Sequence, residues 1–206
     1  PVAFPRSTRG FTLIELMVTV AVLAALLLAV TPVVRDWMLD IEIRNAAESI
    51  SSGLTKARAE AVRRNEPVLF SLVSNDSPGL LDNNCALSSS SASWVVSLDD
   101  PAGNCKNWLD PTTVKRLIAW HARGDGSPGV TVEVRDATCE SATSQAQVKF
   151  NGFGRTALEP APIRCIVVRH PGSSTTRTLH VVLNSGGTVR TCDPAATDPR
   201  DTRRCL

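Results

Sequence analysis

Residues Leu13–Val34 read LIELMVTVAVLAALLLAVTPVV, an almost uninterrupted run of apolar side chains. About 20 apolar residues in a helix span a hydrocarbon core of roughly 30 Å. The run therefore predicts a transmembrane helix, which we place at residues 11–35. Its one charged residue is Glu15, and an unpaired carboxylate opposes burial in lipid, so a functional role is expected for this side chain.

The flanks of the run predict its orientation. The preceding residues carry Arg6 and Arg9 and no acid, so the positive-inside rule keeps this end in the cytoplasm and exports the rest. The alternative is a cleaved secretory signal peptide, which needs a small-residue cleavage site after the apolar run. Ala29-Val30-Thr31 is a poor version of that site, and a helical pattern resumes directly behind it.

The composition fits one exported domain behind this segment. The chain has 206 residues, of which 43% are hydrophobic and 20% charged, so wholesale disorder is excluded. It has no Tyr and 5 Phe, which argues against an aromatic platform that stacks RNA bases. A formal net charge of +2 does not by itself indicate nucleic-acid binding.

The helical pattern turns amphipathic from Trp37 to Asn65. One apolar stripe recurs at steps of three and four residues, typical of a helix that packs on a core or a neighbouring subunit. Pro67 predicts the end of the helix near Asn65. The stripe consists of Ile43, Ala47, Ile50, Leu54, Ala57 and Ala61, and the opposite side carries Asn45, Glu48, Ser52, Lys56 and Arg63.

Beyond Pro67 short runs rich in β-branched and aliphatic residues predict strands. One long helix followed by strands indicates the α+β class. The Ser-rich stretch Ser88–Ser93 is a candidate flexible loop. The predicted strands are Val68–Val73, Trp94–Leu98, Val130–Arg135, Ile166–Arg169, Leu179–Leu183 and Thr188–Thr191, with weaker candidates at Leu117–Trp120 and Val148–Phe150.

All six cysteines lie in the part predicted to be exported, and an even number in an oxidising compartment indicates disulfides. Six cysteines allow 15 pairings, and the sequence leaves them open. The working expectation joins neighbours along the chain, namely Cys85–Cys105, Cys139–Cys165 and Cys192–Cys205. The rival is a zinc site, which the absence of a Cys-x-x-Cys spacing and the scattered His121, His170 and His180 disfavour.

Charge is unevenly distributed along the chain. Residues 66–149 hold six basic and ten acidic side chains, whereas residues 150–206 hold eight arginines against four acids. Arginine pairs well with phosphate, so the basic C-terminal part is a candidate for DNA-backbone binding. The alternative is a solvated face with local Asp–Arg pairs, which the interleaved aspartates favour.

The N-terminal segment Arg9-Gly10-Phe11-Thr12-Leu13-Ile14-Glu15 resembles the class III signal of type IV pilins and type II secretion pseudopilins. The resemblance implies a pilin fold, in which a long N-terminal helix packs on a mainly antiparallel sheet. It divides the chain into a leader at 1–10, a transmembrane helix at 11–35 and an exported GspH/FimT-like domain at 36–206.

The same resemblance assigns roles to individual residues. A prepilin peptidase would cut after Gly10 and methylate the new N-terminal Phe11. Glu15 would pair with the N-terminal amine of a neighbouring subunit during assembly, which offsets the cost of a buried charge. The alternative is that Glu15 reaches the headgroup region. Pro32 matches the family's proline and is expected to kink the helix.

A second stretch, Ala57–Val68, is similar to a segment of the GspH/FimT subgroup, which contains FimT- and FimU-like minor pilins and the GspH minor pseudopilin. Some FimT-like proteins bind DNA through a C-terminal Gly-Arg-x-Arg motif. Only Gly187 and Arg190 match it here, since Thr188 replaces the first arginine. Further arginines that would compensate are Arg200, Arg203 and Arg204.

No catalytic constellation is present: the sequence has no phosphate-binding Gly-rich loop, no Gly-x-Ser-x-Gly and no His-Glu-x-x-His. We therefore expect a non-enzyme without cofactor or metal. The expected function is a minor pilin or pseudopilin in the inner membrane with a periplasmic domain, later in a pilus or pseudopilus. Its partners would be prepilin peptidase, other pilins and, as an alternative function, DNA. The third hypothesis for the function is a plain membrane-anchored periplasmic domain.

Overall fold

The structure is a computed structural model that describes residues 10–74, 81–105, 117–172 and 177–205. It divides into two compact units, Pro1–Trp37 and Met38–Leu206. The leader residues 1–9 lie outside the described residues.

Helix α1 spans Leu13–Arg64, 52 residues. Asn65 follows it with a φ of 52°, a left-handed conformation that asparagine tolerates and that ends the helix where Pro67 predicts. The helix runs continuously through position 32. The side chain of Pro32 lies outside the described residues, so the kink expected there stays a prediction.

The first part of α1, up to Trp37, presents its apolar side chains to the surroundings. The hydroxyls of Thr19 and Thr31 bond back to the carbonyls of Leu16 and Leu27, at 2.9 and 2.7 Å, so these polar groups are satisfied inside the helix. The exposed large apolar residues here include Phe11, just before the helix, and within it Leu13, Ile14, Leu16, Met17, Val18, Val20, Val22, Leu23, Leu26, Leu27 and Leu28.

A membrane span was expected at residues 11–35. In the part of the chain that the structure describes, no helix meets both the length and the apolar character that crossing a membrane requires.

The part of α1 that belongs to the second unit is amphipathic, as predicted. All six residues of the apolar stripe are fully buried, and the five predicted polar positions are exposed. Gly53 lies in the same buried face. A Cβ there would stand 2.8 Å from ring atoms of Phe70 and Trp94, so glycine is what lets the helix approach the strands this closely.

Eight strands follow the helix, and each falls on a predicted run, so the α+β class is confirmed. Four predicted end residues fall outside the strands, namely Val73, Leu98, Val130 and Thr188, and four others extend them, namely His121, Gln147, Cys165 and Cys192. The strands are β1 (Val68–Leu72), β2 (Trp94–Ser97), β3 (Leu117–His121), β4 (Thr131–Arg135), β5 (Gln147–Phe150), β6 (Cys165–Arg169), β7 (Leu179–Leu183) and β8 (Val189–Cys192).

The strands form two four-stranded antiparallel sheets, ordered β3-β2-β1-β5 and β4-β6-β7-β8. One core contains the buried face of α1 and side chains from both sheets, such as Phe70, Phe150 and Ile166. A second cluster, with Val95 and the cystine of Cys85 and Cys105, covers the other face of the first sheet. Strand β1 is consequently buried on both faces, which is why its sequence shows no alternation.

The Ser-rich stretch Ser88–Ser93 was expected to be a candidate flexible loop, but its second half is built into the domain. Ser93 is fully buried and its hydroxyl accepts the Arg123 N–H at 3.0 Å, while Ser91 accepts the Ser93 N–H at 3.1 Å. Small hydroxyl side chains suit a tight buried turn because they satisfy backbone donors locally. Serine content alone therefore misread this segment.

Candidate functional site

The N-terminal signal residues lie where α1 begins. Gly10 precedes the helix, is exposed and would have no heavy atom within 4 Å of an added Cβ. Phe11 is 84% exposed. The peptide bond between these two residues is therefore open to an approaching enzyme, which the predicted processing step requires.

Glu15 has a local structural role that the sequence reasoning missed. The Glu15 N–H donates to the Thr12 hydroxyl at 3.3 Å, and Leu16 N–H donates to the Thr12 carbonyl. Thr12 is thus the N-cap, and Glu15 occupies the third helical position, as in a capping box. The Thr-x-x-Glu spacing was the available signal. A carboxylate in the first turn also interacts favourably with the helix dipole.

The six cysteines form three disulfides, and each joins neighbours along the chain: Cys85–Cys105, Cys139–Cys165 and Cys192–Cys205. No free cysteine is left. The first disulfide belongs to the cluster behind the first sheet. The other two lie on the second sheet.

His180 lies between these two disulfides. It stands directly opposite Cys192 across β7 and β8 and opposite Val167 on β6, on the face turned away from the core. One His180 nitrogen and the sulfurs of Cys139 and Cys165 lie within 4.8 Å of one another, and the same holds for His180 with Cys192 and Cys205.

The environment lowers the pKa of His180. Partial burial is the main cause, the nearby charge of Arg135 acts in the same direction, and the Asp193 carboxylate opposes both. Of the three histidines, this is the only one that the described residues bring beside cysteines.

The four C-terminal arginines predicted as a DNA site differ in their contacts. Arg190 extends from β8, and its Nη2 donates to the carbonyl oxygens of Thr202 and Arg204, both at 2.9 Å. Arg203 forms an ion pair with Asp201 at 2.8 Å. Arg190 therefore holds the C-terminal loop, residues 193–205, against the sheet rather than facing solvent alone.

The C-terminal loop has further anchors. Arg177 pairs with the buried Asp193 at 2.8 Å, and the Asp193 N–H donates to the Arg203 carbonyl at 2.6 Å. Hydrogen bonds from the side chain and backbone of Arg203 lower the pKa of Asp201 to about 2. The predicted local Asp–Arg pairs thus exist for part of this surface.

Arg200 and Arg204 are the exposed remainder of the predicted set. Within the described residues, neither side chain has an ion pair within 4.0 Å. These two guanidinium groups are available to an external anion, whereas those of Arg190 and Arg203 are already engaged.

Gly187, the other residue that matched the DNA-binding motif, has a packing role. Its φ is +80°, and an added Cβ would collide with the carbonyl oxygen of Gly154. That same oxygen accepts a hydrogen bond from Arg58 Nε on α1 at 3.1 Å. The turn before β8 therefore contacts a loop that α1 itself holds in place.

Two sequence profiles match the chain. The profile of the family described as type II transport protein GspH matches residues 46–187, and the prokaryotic N-terminal methylation motif matches residues 5–31. The chain belongs to the GspH family. This family comprises minor pilins and pseudopilins, which are structural subunits of type IV pili and type II secretion systems. No curated protein sequence matches this GspH-family chain closely enough to count as a relative.

The chain is also similar, at low sequence identity, to several solved structures. The type IV minor pilin FimU of Pseudomonas aeruginosa is 15% identical, with a TM-score of 0.46, over 78% of this chain and 94% of that one. EpsH from the type 2 secretion system of Vibrio cholerae is 14% identical, with a TM-score of 0.40, over 75% and 98%. E. coli GspH is 14% identical, with a TM-score of 0.40, over 78% and 94%.

Proposed function

We propose that this chain is a non-enzymatic minor pilin or pseudopilin subunit, which takes part in assembling or priming a type IV pilus or type II secretion pseudopilus. The N-terminal methylation motif at residues 5–31 carries the proposal, because it leads directly into helix α1 in a GspH-family chain. Such a signal has a use only if the new N-terminus enters a filament.

The subunit is first held in the inner membrane by residues 11–35, with the domain from residue 36 onward in the periplasm. Prepilin peptidase then cuts after Gly10 and methylates Phe11. Two observations support this order: the exposed, unhindered position of Gly10 and the run of exposed apolar side chains that follows Phe11. A helix segment whose apolar side chains are exposed within the described residues is suited to lipid first and to neighbouring helices afterwards.

Mass spectrometry of the N-terminus tests the processing step. The full-length chain, co-expressed with a prepilin peptidase, should yield a mature protein that begins with N-methylated Phe11. Gly10→Val should leave the leader attached, because the added side chain blocks the cleavage position. A wild-type chain that stays uncut, or is cut after the apolar run, contradicts the proposal.

Glu15 contributes its charge to assembly and its position to the helix cap, and two substitutions separate these roles. Glu15→Gln keeps a side chain that capping boxes accept but removes the charge. Thr12→Ala removes the cap hydroxyl and keeps the charge. We expect Glu15→Gln to reduce incorporation into sheared filaments and Thr12→Ala to reduce it much less. Equal incorporation of Glu15→Gln and wild type into filaments would contradict a role of the Glu15 charge in assembly.

DNA binding is the second candidate function, and the unpaired exposed side chains of Arg200 and Arg204 favour it. A mobility shift with DNA at two salt concentrations tests it, since phosphate contacts weaken with salt. Arg200→Ala/Arg204→Ala should abolish binding, while the control Arg155→Ala/Arg169→Ala removes two exposed arginines outside the C-terminal loop and should not. Absence of a shift at low salt leaves assembly as the function of this surface.

A further inference from the structure

Trp37 is the only aromatic residue between Phe11 and Phe70, and it lies three residues beyond the apolar run Leu13–Val34. Its side chain is 64% exposed, and within the described residues its indole N–H has no hydrogen-bond partner. The buried Trp94, by contrast, donates its N–H to a serine hydroxyl at 2.9 Å. Trp37 therefore presents both an apolar ring and an unpaired donor, the combination that places tryptophan where an apolar and a wet environment meet.

The position of Trp37 on α1 matches the edge of a bilayer. At a rise of 1.5 Å per residue, Trp37 lies about 20 Å along the axis from the middle of the apolar run. The hydrocarbon core of a bilayer ends about 15 Å from its middle, and the headgroups extend to about 20–22 Å. Helical side chains point back toward the N-terminus, so the indole lies nearer the core than its own Cα. The ring is therefore level with the headgroups when the run is centred in lipid.

The charge beside Trp37 fits the same environment. Arg35 is exposed and, among the described residues, has no ion pair within 4.0 Å, whereas Asp40, five positions further along, pairs with Arg44 at 3.0 Å. Asp36 follows Arg35 directly, but consecutive helical residues point about 100° apart around the axis. The Arg35 guanidinium is therefore available to an anion at this level, and a phospholipid headgroup supplies phosphate, which arginine pairs with well.

We propose that Trp37 binds the headgroup region of a phospholipid bilayer and is the interfacial anchor of α1 before assembly. This inference rests on the proposed membrane placement of residues 11–35. The ring packs against the outer ends of the acyl chains, the indole N–H donates to lipid ester oxygens, and Arg35 pairs with phosphate. Entry into a filament requires the helix to leave these contacts, so they retain the unassembled subunit in the bilayer.

Quenching by brominated lipids tests the depth of Trp37. The full-length chain is reconstituted in vesicles of phosphatidylethanolamine and phosphatidylglycerol, brominated on the acyl chains either near the headgroup or near the chain end. The Trp37 signal is the difference between the fluorescence of wild type and of Trp37→Phe, because the other tryptophans are common to both. We expect the bromine near the headgroup to cause the larger loss of this signal.

A matched control calibrates the depth on the same helix. Leu23 lies at the middle of the apolar run and is 56% exposed. Leu23→Trp in the Trp37→Phe chain moves the tryptophan to this position, and its signal should be lost mainly to the bromine near the chain end. A Trp37 signal that is lost equally to both lipids, mainly to the deep one, or to neither overturns the anchor.

Flotation of the same vesicles separates this inference from the proposed function. A chain that floats, with the Leu23→Trp signal lost to the deep bromine but no shallow loss for Trp37, leaves the membrane placement standing without the anchor. A Trp37 signal that is quenched only when lipid is in large excess over protein indicates a contact between copies and also overturns the anchor. A chain that does not float with the vesicles contradicts both proposals.

Discussion

Gly187→Ala is expected to destabilise the unit Met38–Leu206 more than the same substitution at an ordinary loop glycine does. Gly187 combines a φ of +80° with a backbone neighbour, since an added Cβ would collide with the Gly154 carbonyl oxygen. That oxygen is fixed by the hydrogen bond from Arg58, so it cannot move away without breaking a contact to α1.

The magnitude follows from two costs. A left-handed conformation costs a non-glycine residue about 1–2 kcal/mol, and forcing extra volume into a packed site costs about 1–3 kcal/mol. Gly103 offers a matched control: its φ is +72°, but its nearest neighbour, the Asn83 carbonyl oxygen, lies 3.9 Å from an added Cβ. Gly103→Ala should therefore show the first cost alone, and Gly187→Ala both.

Urea unfolding of the chain from Met38 onward, followed by tryptophan fluorescence, measures the two variants in one background. The loss for Gly187→Ala should exceed that for Gly103→Ala by about 1–3 kcal/mol, which is the packing cost. Equal losses of unfolding free energy would refute the packing role of Gly187. Its match to the Gly-Arg-x-Arg motif would then again favour a role in DNA binding.

Three further variants test other contacts by the same unfolding measurement. Ser49→Ala removes the acceptor 2.9 Å from the buried Trp94 indole N–H and should cost about 1–3 kcal/mol, whereas no loss would mean that the donor finds another partner. Hydrogen bonds from Arg63 and Arg64 lower the pKa of Glu60 to about 2. The Glu60 carboxylate therefore adds its full contribution to the free energy of unfolding above about pH 4.5 and loses it as the pH falls toward 2. Glu60→Gln should lack that acid-dependent loss, and an identical pH profile would contradict it. Replacing Cys192 and Cys205 with serine opens a loop of sequence separation 13 and should cost about 3 kcal/mol; an unchanged midpoint would show that the loop is held by its other contacts.

The sequence predicted those features that depend on local pattern. The stripe of α1 repeats with the helical period, and runs such as Val68–Val73 are long and β-rich enough to indicate strands, so both were confirmed. The order of the strands in two sheets was not predictable, because pairing depends on contacts between distant segments. The Ser88–Ser93 expectation failed for a related reason: the buried Ser93 accepts a hydrogen bond from the backbone N–H of Arg123, which is 30 residues away.

The same distinction between local sequence pattern and distant contacts applies to the residues of the candidate site. Gly10, Phe11 and Glu15 could be proposed from the sequence because they lie in one contiguous motif. The sequence did not predict that Arg190 is hydrogen-bonded while Arg200 is exposed, because this difference depends on where the C-terminal loop packs against β8. The cluster at His180 required the register of β7 against β8, which no spacing along the chain encodes.

The return of the C-terminal loop to β8 has a consequence for solubility. Strand β8 is the last strand of its sheet, and an uncovered edge is a template for pairing with another chain. Here Asp193 bridges to Arg204 beside that edge, and the Cys192–Cys205 disulfide keeps the two segments together. The loop therefore covers this margin of the sheet and disfavours edge-to-edge strand pairing at β8 between copies of the domain.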